Sequence, residues 1–359
     1  MSYNILGITP GHNGAAALVS DGKLVYYLEE ERMSRLKRDG NPFRVIIDIC
    51  SKYKIDELVL AGVNYQSHLL FHTGEDMFLG LVRKIYPKVK FKTLFNNHHL
   101  SHSFSSFYNS GFTKAISVVI DGNGSKNNHV INNKDYYSDE IQSIYIHEYP
   151  LKIYLYNSTQ LCNSLKNNYS NKELNIINTI GIGKAYEAIS EYLGFGRDGG
   201  GKTMGLSSYG SFNLDIPTFL QNNFIYTYHP REDIQEPNVK TGILDNYLPE
   251  DIAYKVQQES QQIVGDYIEE AIKETGLKQV CCSGGYFLNC VANYYLKKRF
   301  PNVKFYFEPM SNDAGTAIGV AKWAWHSHTQ DKTIRPQKTL YYGPQYSKKQ
   351  LIEGIKKYV

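Results

Sequence analysis

The sequence has few cysteines and no long apolar run, and its charges are close to balanced. Its 359 residues include five cysteines, of which only Cys281 and Cys282 are adjacent, and this spacing forms neither a metal-binding ladder nor a disulfide framework. Isolated cysteines of this kind are typical of buried, reduced thiols. No apolar stretch approaches the roughly 18 residues of a membrane span, and residues 1–4 lead directly into a strand. We therefore expect a cytoplasmic protein with no membrane partner.

The charge and the length set further bounds. A net charge of +4 and a pI near 8.5 are too small to require a nucleic-acid partner. The basic stretch at 32–38 is most simply a solvated surface. Because single cores stop growing near roughly 250 to 300 residues, we expect two lobes. We place the first at 1–114, the second at 115–330 with a poorly patterned insertion at 212–247, and a C-terminal tail at 331–359.

The hydrophobic pattern predicts an α/β fold in which one topology is used twice. Alternating segments at 4–8, 15–19 and 23–28 predict an antiparallel meander. Segments at 115–120, 129–131 and 142–147 predict the same three-strand opening again, and the Asn- and Ser-rich stretch 157–175 predicts a surface excursion. The remaining predicted elements are helices at 43–53, 69–86, 97–108, 183–193, 251–274, 289–298 and up to 326, and strands at 57–63, 89–94 and 279–282.

Three histidines within five residues carry a metal-ligand spacing. On the predicted helix, His98 and His102 lie one turn apart on the same face, where two imidazoles can bind one divalent ion. A histidine pair satisfied by local hydrogen bonds is the alternative. Further ligands are needed, and Asp121 and Asp313 are acids beside glycines at strand or helix ends. Such a set favours iron(II) or another borderline divalent ion over magnesium. His99 faces elsewhere, and we expect a structural or supporting role for it.

Glycine-bearing turns follow several predicted strands. Asp121-Gly122-Asn123-Gly124 ends the strand at 115–120 and offers flexible backbone where phosphate oxygens can approach N–H groups. Ser283-Gly284-Gly285, followed by Asn289, fits an adenosine pocket with backbone against the base and an amide for a ribose hydroxyl. A simple turn at the start of a helix is the alternative for this second segment.

Two other turns present an ionisable side chain. His12 lies at the tip of a glycine-rich turn between the first two strands, where its imidazole is suited to act as a general base on a substrate hydroxyl. A tight hairpin without chemistry is the alternative. Lys202 follows a run of three glycines at 199–201, which is one way to offer a cation to a phosphate. A flexible linker is the alternative there.

Taken together, these segments resemble the O-carbamoyltransferases that include nodulation protein U and the enzymes that carbamoylate cephem and aminoglycoside antibiotics. The resemblance covers nearly the whole chain and keeps the motifs in one order. They are Ile5-Leu6-Gly7-Ile8, Glu29-Glu30-Glu31-Arg32 with Arg35-x-Lys37, His98-His99-Leu100-Ser101-His102, Gly201-Lys202-Thr203-Met204-Gly205-Leu206-x-x-Tyr209-Gly210, Gly284-Gly285-x-x-Leu288-Asn289-Cys290 and Asp313-Ala314-Gly315-Thr316-Ala317.

The resemblance implies duplicated actin-like, sugar-kinase-like lobes around a nucleotide and metal cleft, as in the tRNA threonylcarbamoyl transferases. Carried over by motif, the iron-type ion would be held by His98, His102, Asp121 and Asp313. The nucleotide half of an O-carbamoyladenylate would lie against 121–124, Gly284-Gly285 and Asn289. The resemblance further implies that the metal and Lys202 polarise the carbamoyl carbonyl and the departing AMP phosphate, while His12 helps to deprotonate the acceptor hydroxyl.

Two departures from the family pattern affect these expectations. Members often carry an acid immediately before the Gly-Lys of the glycine loop, where this chain has Gly200, with Asp198 the nearest acid. Members normally continue into a second domain that makes carbamoyladenylate from carbamoyl phosphate and ATP. This chain ends at Val359, just after a motif at 342–347 that resembles the junction into that domain. We therefore expect a separate subunit to supply the adenylate.

The sequence also allows two other functions. A tRNA threonylcarbamoyl transferase shares the histidine spacing, although the Glu-Glu-Arg corner and the Gly-Lys-Thr-Met-Gly-Leu run favour the alcohol-directed branch. A non-catalytic ATP- and metal-binding scaffold subunit is a third hypothesis. For the acceptor we expect a sugar or an antibiotic-like alcohol. A hydroxymethylated DNA base is a further hypothesis, which the mildly basic composition allows without supporting.

Overall fold

The computed structural model describes residues 2–62, 77–220, 225–231, 234–239 and 242–357. Its strands are β1 (Asn4–Thr9), β2 (Ala15–Ser20), β3 (Lys23–Glu29), β4 (Glu57–Leu60), β5 (Lys90–Thr93), β6 (Lys114–Ile120), β7 (Lys126–Ile131), β8 (Lys134–Glu148), β9 (Lys152–Leu161), β10 (Tyr169–Ser170), β11 (Leu174–Ile177), β12 (Ile225–Arg231), β13 (Ile234–Val239), β14 (Gln279–Ser283) and β15 (Lys304–Phe307). Its helices are α1 (Glu31–Ser34), α2 (Phe43–Lys52), α3 (Met77–Ile85), α4 (His98–Ser110), α5 (Ile182–Tyr192), α6 (Gly200–Leu206), α7 (Pro249–Thr275), α8 (Cys290–Arg299), α9 (Thr316–Thr329) and α10 (Lys348–Lys356).

Two sheets repeat one strand order. The first runs β3-β2-β1-β4-β5, and the core of the second runs β9-β8-β6-β14-β15. In both, the first three strands are antiparallel neighbours and the last two join in parallel. The predicted reuse of one α/β topology is confirmed. The predicted helix at 69–86 is described only from Met77 onward, and its first part lies outside the described residues.

The second meander differs from the prediction in two strands. The predicted strand at 129–131 is the end of β7, an extra hairpin arm paired with β8, and β8 itself occupies the second place in the repeated order. The surface excursion predicted at 157–175 is confirmed in its middle, where residues 163–173 are mostly exposed, and is wrong at its ends, where the second half of β9 and part of β11 lie. Polar side chains in β9 are satisfied across the sheet: Ser138 Oγ donates to Gln160 Oε1 at 2.6 Å.

Helices α4 and α9 pack together between the two sheets. One buried cluster joins Ile5 and Val59 of the first sheet with Cys281 of the second, through Phe104 of α4 and Val320 of α9. The helices approach closely, and a Cβ added to Gly319 of α9 would lie 2.5 Å from the Ser105 nitrogen of α4. Because the two helices pack in this way, α4 and α9 both begin at the same end of the space between the sheets.

The outer faces of the sheets are covered by other helices. The first sheet packs its Leu6 and Leu58 side against α2, and the second packs its Val118 and Val280 side against α7 and α8. The division between lobes at 114 and 115 stays a prediction. Across the described ranges, no helix has both the length and the apolar character that crossing a membrane requires.

A buried carboxyl group braces the α4 and α9 layer. Glu308, just after β15, is 2% exposed and accepts a hydrogen bond of 2.9 Å from the Asn109 side chain of α4. Asn109 in turn accepts a hydrogen bond of 2.6 Å from the buried ammonium group of Lys322 in α9. Burial raises the pKa of Glu308 to about 7 and lowers the pKa of Lys322 to about 8. The network therefore holds a titratable group in the centre of the protein.

We expect Glu308→Gln to flatten the pH dependence of stability. A raised carboxyl pKa means that the folded protein keeps a proton that the unfolded chain loses, so the free energy of unfolding falls as the pH rises from about 4.5 to about 7. The other titratable groups facing Glu308 have pKa values above this window: Tyr27, Cys281, Tyr306 and Lys322. In urea denaturation, the decline of the free energy of unfolding over this pH range should be smaller in the glutamine variant by on the order of 2 kcal/mol. The exposed Glu353→Gln is the control, and an unchanged pH slope in the Glu308 variant would contradict the assignment.

Candidate metal and nucleotide site

The structure brings the four predicted metal ligands together. His98 and His102 lie one turn apart in α4, Asp121 follows the last residue of β6, and Asp313 precedes α9. Each offers one ligand atom, and these atoms all lie within 4.8 Å of one another. His98 Nε2 is 3.1 Å from Asp121 Oδ2, and His102 Nε2 is 3.4 Å from Asp313 Oδ1. Both imidazoles are fully buried.

The donor set fits a divalent cation. His98 Nδ1 donates to the Gly62 carbonyl at 3.0 Å, and His102 Nδ1 is 3.1 Å from Ser283 Oγ. These partners orient both rings so that the Nε2 atoms face the carboxylates, as ligating histidines do. His102 Nε2 is buried and makes no hydrogen bond to any described residue. Two imidazoles and two carboxylates are typical ligands of iron(II) and similar borderline ions.

The electrostatics of the cluster also call for a cation. Burial lowers the pKa of an imidazole, but the carboxylates of Asp313 and Asp121 outweigh it and raise the pKa of His98 to about 9. Burial opposes ionisation of Asp121 as well, yet the hydrogen bond from His98 holds its pKa below the usual range. A single protonated imidazole therefore faces two carboxylates, and a bound metal ion would add positive charge and release that proton.

His99 points away from the cluster, as expected from its position on α4. Its Nδ1 is 2.9 Å from Ser143 Oγ, and burial lowers its pKa to about 4. A Cβ added to Gly124 would lie 2.7 Å from the His99 ring, so the turn after β6 packs against this neutral histidine.

The two glycine turns of the second sheet meet because β6 and β14 are parallel neighbours. The Gly285 N–H donates to Asp121 Oδ1 at 3.0 Å, which fixes one turn on the other. Gly122, Gly285 and Asn289 line a cavity together with Asp121 and Asp313 of the cluster. The side chain of Asn289 caps α8 through the Ala292 N–H and also donates to Gln257, so its amide is already engaged. The other predicted nucleotide residues, Asn123, Gly124 and Gly284, lie outside the lining of this cavity.

We expect Gly284→Ala to destabilise the fold. Gly284 has a φ of 100°, and an added Cβ would lie 2.3 Å from the Ile120 carbonyl oxygen. Since backbone strain of this kind alone costs on the order of 1 to 3 kcal/mol, thermal and urea unfolding should show a loss of at least about 2 kcal/mol. Gly354→Ala in α10 is the matched control, because its added Cβ meets nothing within 4 Å. Equal stability of the two variants would contradict the packing described here.

The cavity has a volume of about 500 Å³ and separates two walls. One wall is built by the second sheet and α5, with Gly122, Tyr186 and Gly285. The other is built by the first sheet, with His12 at its tip turn. His12 Nε2 is 3.3 Å from Asp313 Oδ2, and its side chain is 53% exposed. The Asp313 carboxylate raises the pKa of His12 above its ordinary value. The predicted base therefore lies at the cavity, directly beside the cluster.

Lys202, one of the two predicted catalytic residues, also lies outside the cavity lining. Its ammonium group lies 5.9 Å above the Phe195 ring. The glycine run at 199–201, for which a flexible linker was the alternative, is helical: it ends a short turn of 3₁₀-helix and begins α6. A hydrogen bond of 2.7 Å between Ser190 and Thr203 ties α6 to α5, so tertiary contacts override the poor helix propensity of glycine.

The charged wall that follows β3 was not predicted from the sequence. Glu29, Glu31, Arg32 and Lys37 all line the cavity, although the basic stretch was expected to be solvated surface. Glu30 between them faces the protein instead, where its carboxylate accepts hydrogen bonds from the first N–H groups of α2. The Glu-Glu-Glu-Arg corner could have predicted this wall. In an antiparallel meander the end of β3 pairs with the start of β2, which directly follows the turn that bears His12.

An ion pair between Arg38 and Asp198 joins the two walls of the cavity. Arg38 belongs to the segment after α1, and Asp198 to the turn before α6. Both residues line the cavity, so the pair crosses the space between the first sheet and α6.

The chain is similar in sequence to one protein family and to several known proteins. The family model described as the carbamoyltransferase N-terminus matches residues 69–322. The chain is 26% identical to the uncharacterized protein sll1178 of Synechocystis over 98% of this chain and 62% of that protein. It is 24% identical to the nodulation protein NolNO of Sinorhizobium fredii over 95% of this chain and 50% of that protein. The chain thus spans between half and two thirds of the length of these relatives.

Two further similarities are more limited. One covers only part of the chain, and the other concerns the fold. A tRNA N6-adenosine threonylcarbamoyltransferase of Persephonella marina is 26% identical over 36% of this chain and 39% of that protein. The crystal structure of full-length HypF in its phosphate- and nucleotide-bound form aligns with a TM-score of 0.54 and 14% identity, over 91% of this chain and 56% of that one. That alignment shows a shared fold. With the family model covering most of its length, the chain belongs to the carbamoyltransferase family, whose N-terminal region it represents.

Proposed function

We propose that this chain transfers the carbamoyl group of O-carbamoyladenylate to an alcohol. The observation that carries the proposal is a cavity lined by His12, by the two glycine turns of the second sheet, and by Asp121 and Asp313, which form one cluster with the buried His98 and His102. A base, a cation site and a nucleotide-side backbone are the components that acyl transfer from an adenylate needs.

The reaction replaces one C–O bond with another. The acceptor oxygen attacks the carbamoyl carbon, the bond from that carbon to the phosphate oxygen breaks, and AMP leaves. The hydroxyl proton passes to the imidazole of His12, whose position beside Asp313 places it at the metal-side end of the cavity. The products are a carbamate ester and AMP.

The residues of the chain divide this work. Four side chains would hold the metal, which would supply Lewis-acid stabilisation of negative charge: His98, His102, Asp121 and Asp313. Gly122 and Gly285 expose backbone on the nucleotide wall, where no Cβ blocks the approach of a ligand. The opposite wall is charged, with Glu29 and Arg32, and suits a polar, multiply hydroxylated acceptor better than an apolar one.

The donor would come from carbamoyl phosphate and ATP. We propose that a separate adenylate-forming subunit or domain makes it, with this chain contributing the transfer site. The acceptor would be a sugar or an antibiotic-like alcohol, with a hydroxymethylated DNA base as a further candidate.

The assay combines this chain with carbamoyl phosphate, ATP, iron(II) and a panel of alcohols, nucleosides and hydroxymethylated DNA. It is run with and without an adenylate-forming protein of the family. Mass spectrometry should detect the gain of one carbamoyl group on an acceptor only when both proteins are present. Turnover by this chain alone from carbamoyl phosphate would contradict the separate supply of the adenylate.

The partial likeness to a tRNA threonylcarbamoyltransferase supports a second candidate function. In a reconstituted assay, that function predicts threonylcarbamoylation of adenosine in the tRNA anticodon loop and no carbamate ester on any alcohol. A scaffold subunit predicts a third pattern, in which nucleotide binding survives His12→Gln and no reaction is lost. Formation of a carbamate ester that depends on His12 would exclude both.

A further inference from the structure

The segment between α1 and α2 is fastened to the turn that bears His12. The Gly11 N–H donates to the Gly40 carbonyl at 3.0 Å, and the Gly14 N–H donates to the Asp39 carbonyl at 2.9 Å. A Cβ added to Gly14 would lie 2.6 Å from the Gly40 carbonyl carbon, so the two pieces of backbone are in direct contact. The side chains of residues 37 and 38 are therefore held at the same cavity as the His12 imidazole.

The cations on this wall differ in how they are paired. Arg32 lies 3.5 Å from Glu31, and Arg38 pairs with Asp198 across the cavity. Lys37 lines the same cavity and has neither an ion pair nor a hydrogen bond to any described residue. Its ammonium group can therefore bind an anionic ligand without first breaking an internal ion pair.

The opposite wall indicates which anion the ammonium group would meet. It exposes the backbone of Gly122 and Gly285, against which the proposed function places the nucleotide. Asp121 and Asp313 at the same end are engaged with His98 and His12. A phosphate group of a nucleotide on this wall would face the first-sheet wall, where Lys37 supplies a compact, mobile cation suited to phosphate.

We propose that Lys37 binds the phosphate of the nucleotide in this cavity, the role that sequence reasoning assigned to Lys202. The inference rests on the proposed function, since it requires a nucleotide in the cavity. It assigns the phosphate-binding cation to the first sheet and the base-side contacts to the second.

The test is isothermal titration of AMP and of adenosine into the wild-type chain and its variants. Lys37→Gln should weaken AMP binding by about 10-fold or more, because a hydrogen bond to a charged group contributes roughly that factor. Adenosine has no phosphate, so its affinity should not change. Lys37→Arg keeps the charge and should retain most of the AMP affinity. Lys202→Gln is the matched control and should bind both ligands like the wild type.

Two results would overturn the inference, and they are distinguishable. Equal AMP affinity of the wild type and Lys37→Gln would show that Lys37 does not bind the phosphate. So would a loss of AMP affinity in Lys202→Gln as large as that in Lys37→Gln. In either case, binding of adenosine would leave the proposed function in place. Absence of both AMP and adenosine binding in the wild type would overturn the nucleotide site itself, and the role of Lys37 with it.

Discussion

Replacing His12 with glutamine is expected to reduce the rate of carbamoyl transfer by a factor of about 10² to 10⁴, the usual contribution of a positioned general base. His12 lies on a turn at the cavity, with its Nε2 atom 3.3 Å from Asp313 and its side chain 53% exposed. Glutamine keeps a polar side chain at this exposed tip but cannot accept the hydroxyl proton. Because the residue makes few packing contacts, the fold should be unaffected, and the loss should appear in kcat at saturating donor.

The control for this variant is His328→Gln, which changes an exposed histidine at the end of α9, outside the cavity lining. It should keep wild-type activity. Metal content and AMP affinity should be the same in both variants as in the wild type. A His12 variant with wild-type kcat would show that another group accepts the proton, and a loss of metal together with activity would show that His12 supports the cluster instead.

Replacing His102 with alanine is expected to remove the bound metal ion from the purified protein. The imidazole is fully buried, and its Nε2 atom has no hydrogen-bond partner among the described residues. Partners of ligating residues typically contribute 10-fold to 100-fold to metal affinity, so loss of a ligand itself should weaken binding by more than about 100-fold. Mass spectrometry of metal content should give about one ion per wild-type chain and close to none in the variant.

Removal of a buried side chain can also destabilise α4, so a second variant is needed. Asp313→Asn keeps the shape of its side chain and removes a charge, and it should lose the metal while its thermal unfolding stays close to that of the wild type. Wild-type protein stripped with a chelator should regain the ion on addition of iron(II). Full metal content in both variants would contradict the ligand assignment.

The parts of the fold that the sequence predicts are those with local signals. The β1 to β3 meander and the spacing of His98 and His102 follow from alternation and from the helical period, and the structure confirms both elements. In β9 the local signal is misleading, because the polar side chains of Ser158 and Gln160 are satisfied by β7 and β8. That information lies in the partner strands, which the pattern of a single segment does not contain.

The site residues show the same contrast between local sequence signals and contacts made by distant segments. A histidine pair and acids at strand or helix ends can be recognised in the sequence, since each motif carries its own chemistry. The Lys202 ammonium group lies over Phe195 and outside the cavity lining, because the glycines before it are helical and a hydrogen bond between Ser190 and Thr203 holds α6 on α5. The pairing of Arg38 with Asp198 joins segments far apart in the chain, and it becomes visible only once the two sheets are placed.

The most direct test of carbamoyl transfer uses freshly prepared O-carbamoyladenylate with this chain alone, loaded with iron(II), and an alcohol acceptor found in the panel. The reaction is quenched after a single turnover, and the mass of the acceptor is measured by mass spectrometry. The account predicts that the chain without any partner forms the carbamate ester and releases AMP, and that His12→Gln does so much more slowly. Hydrolysis of the adenylate without any carbamate ester, at the same rate in both proteins, would contradict it.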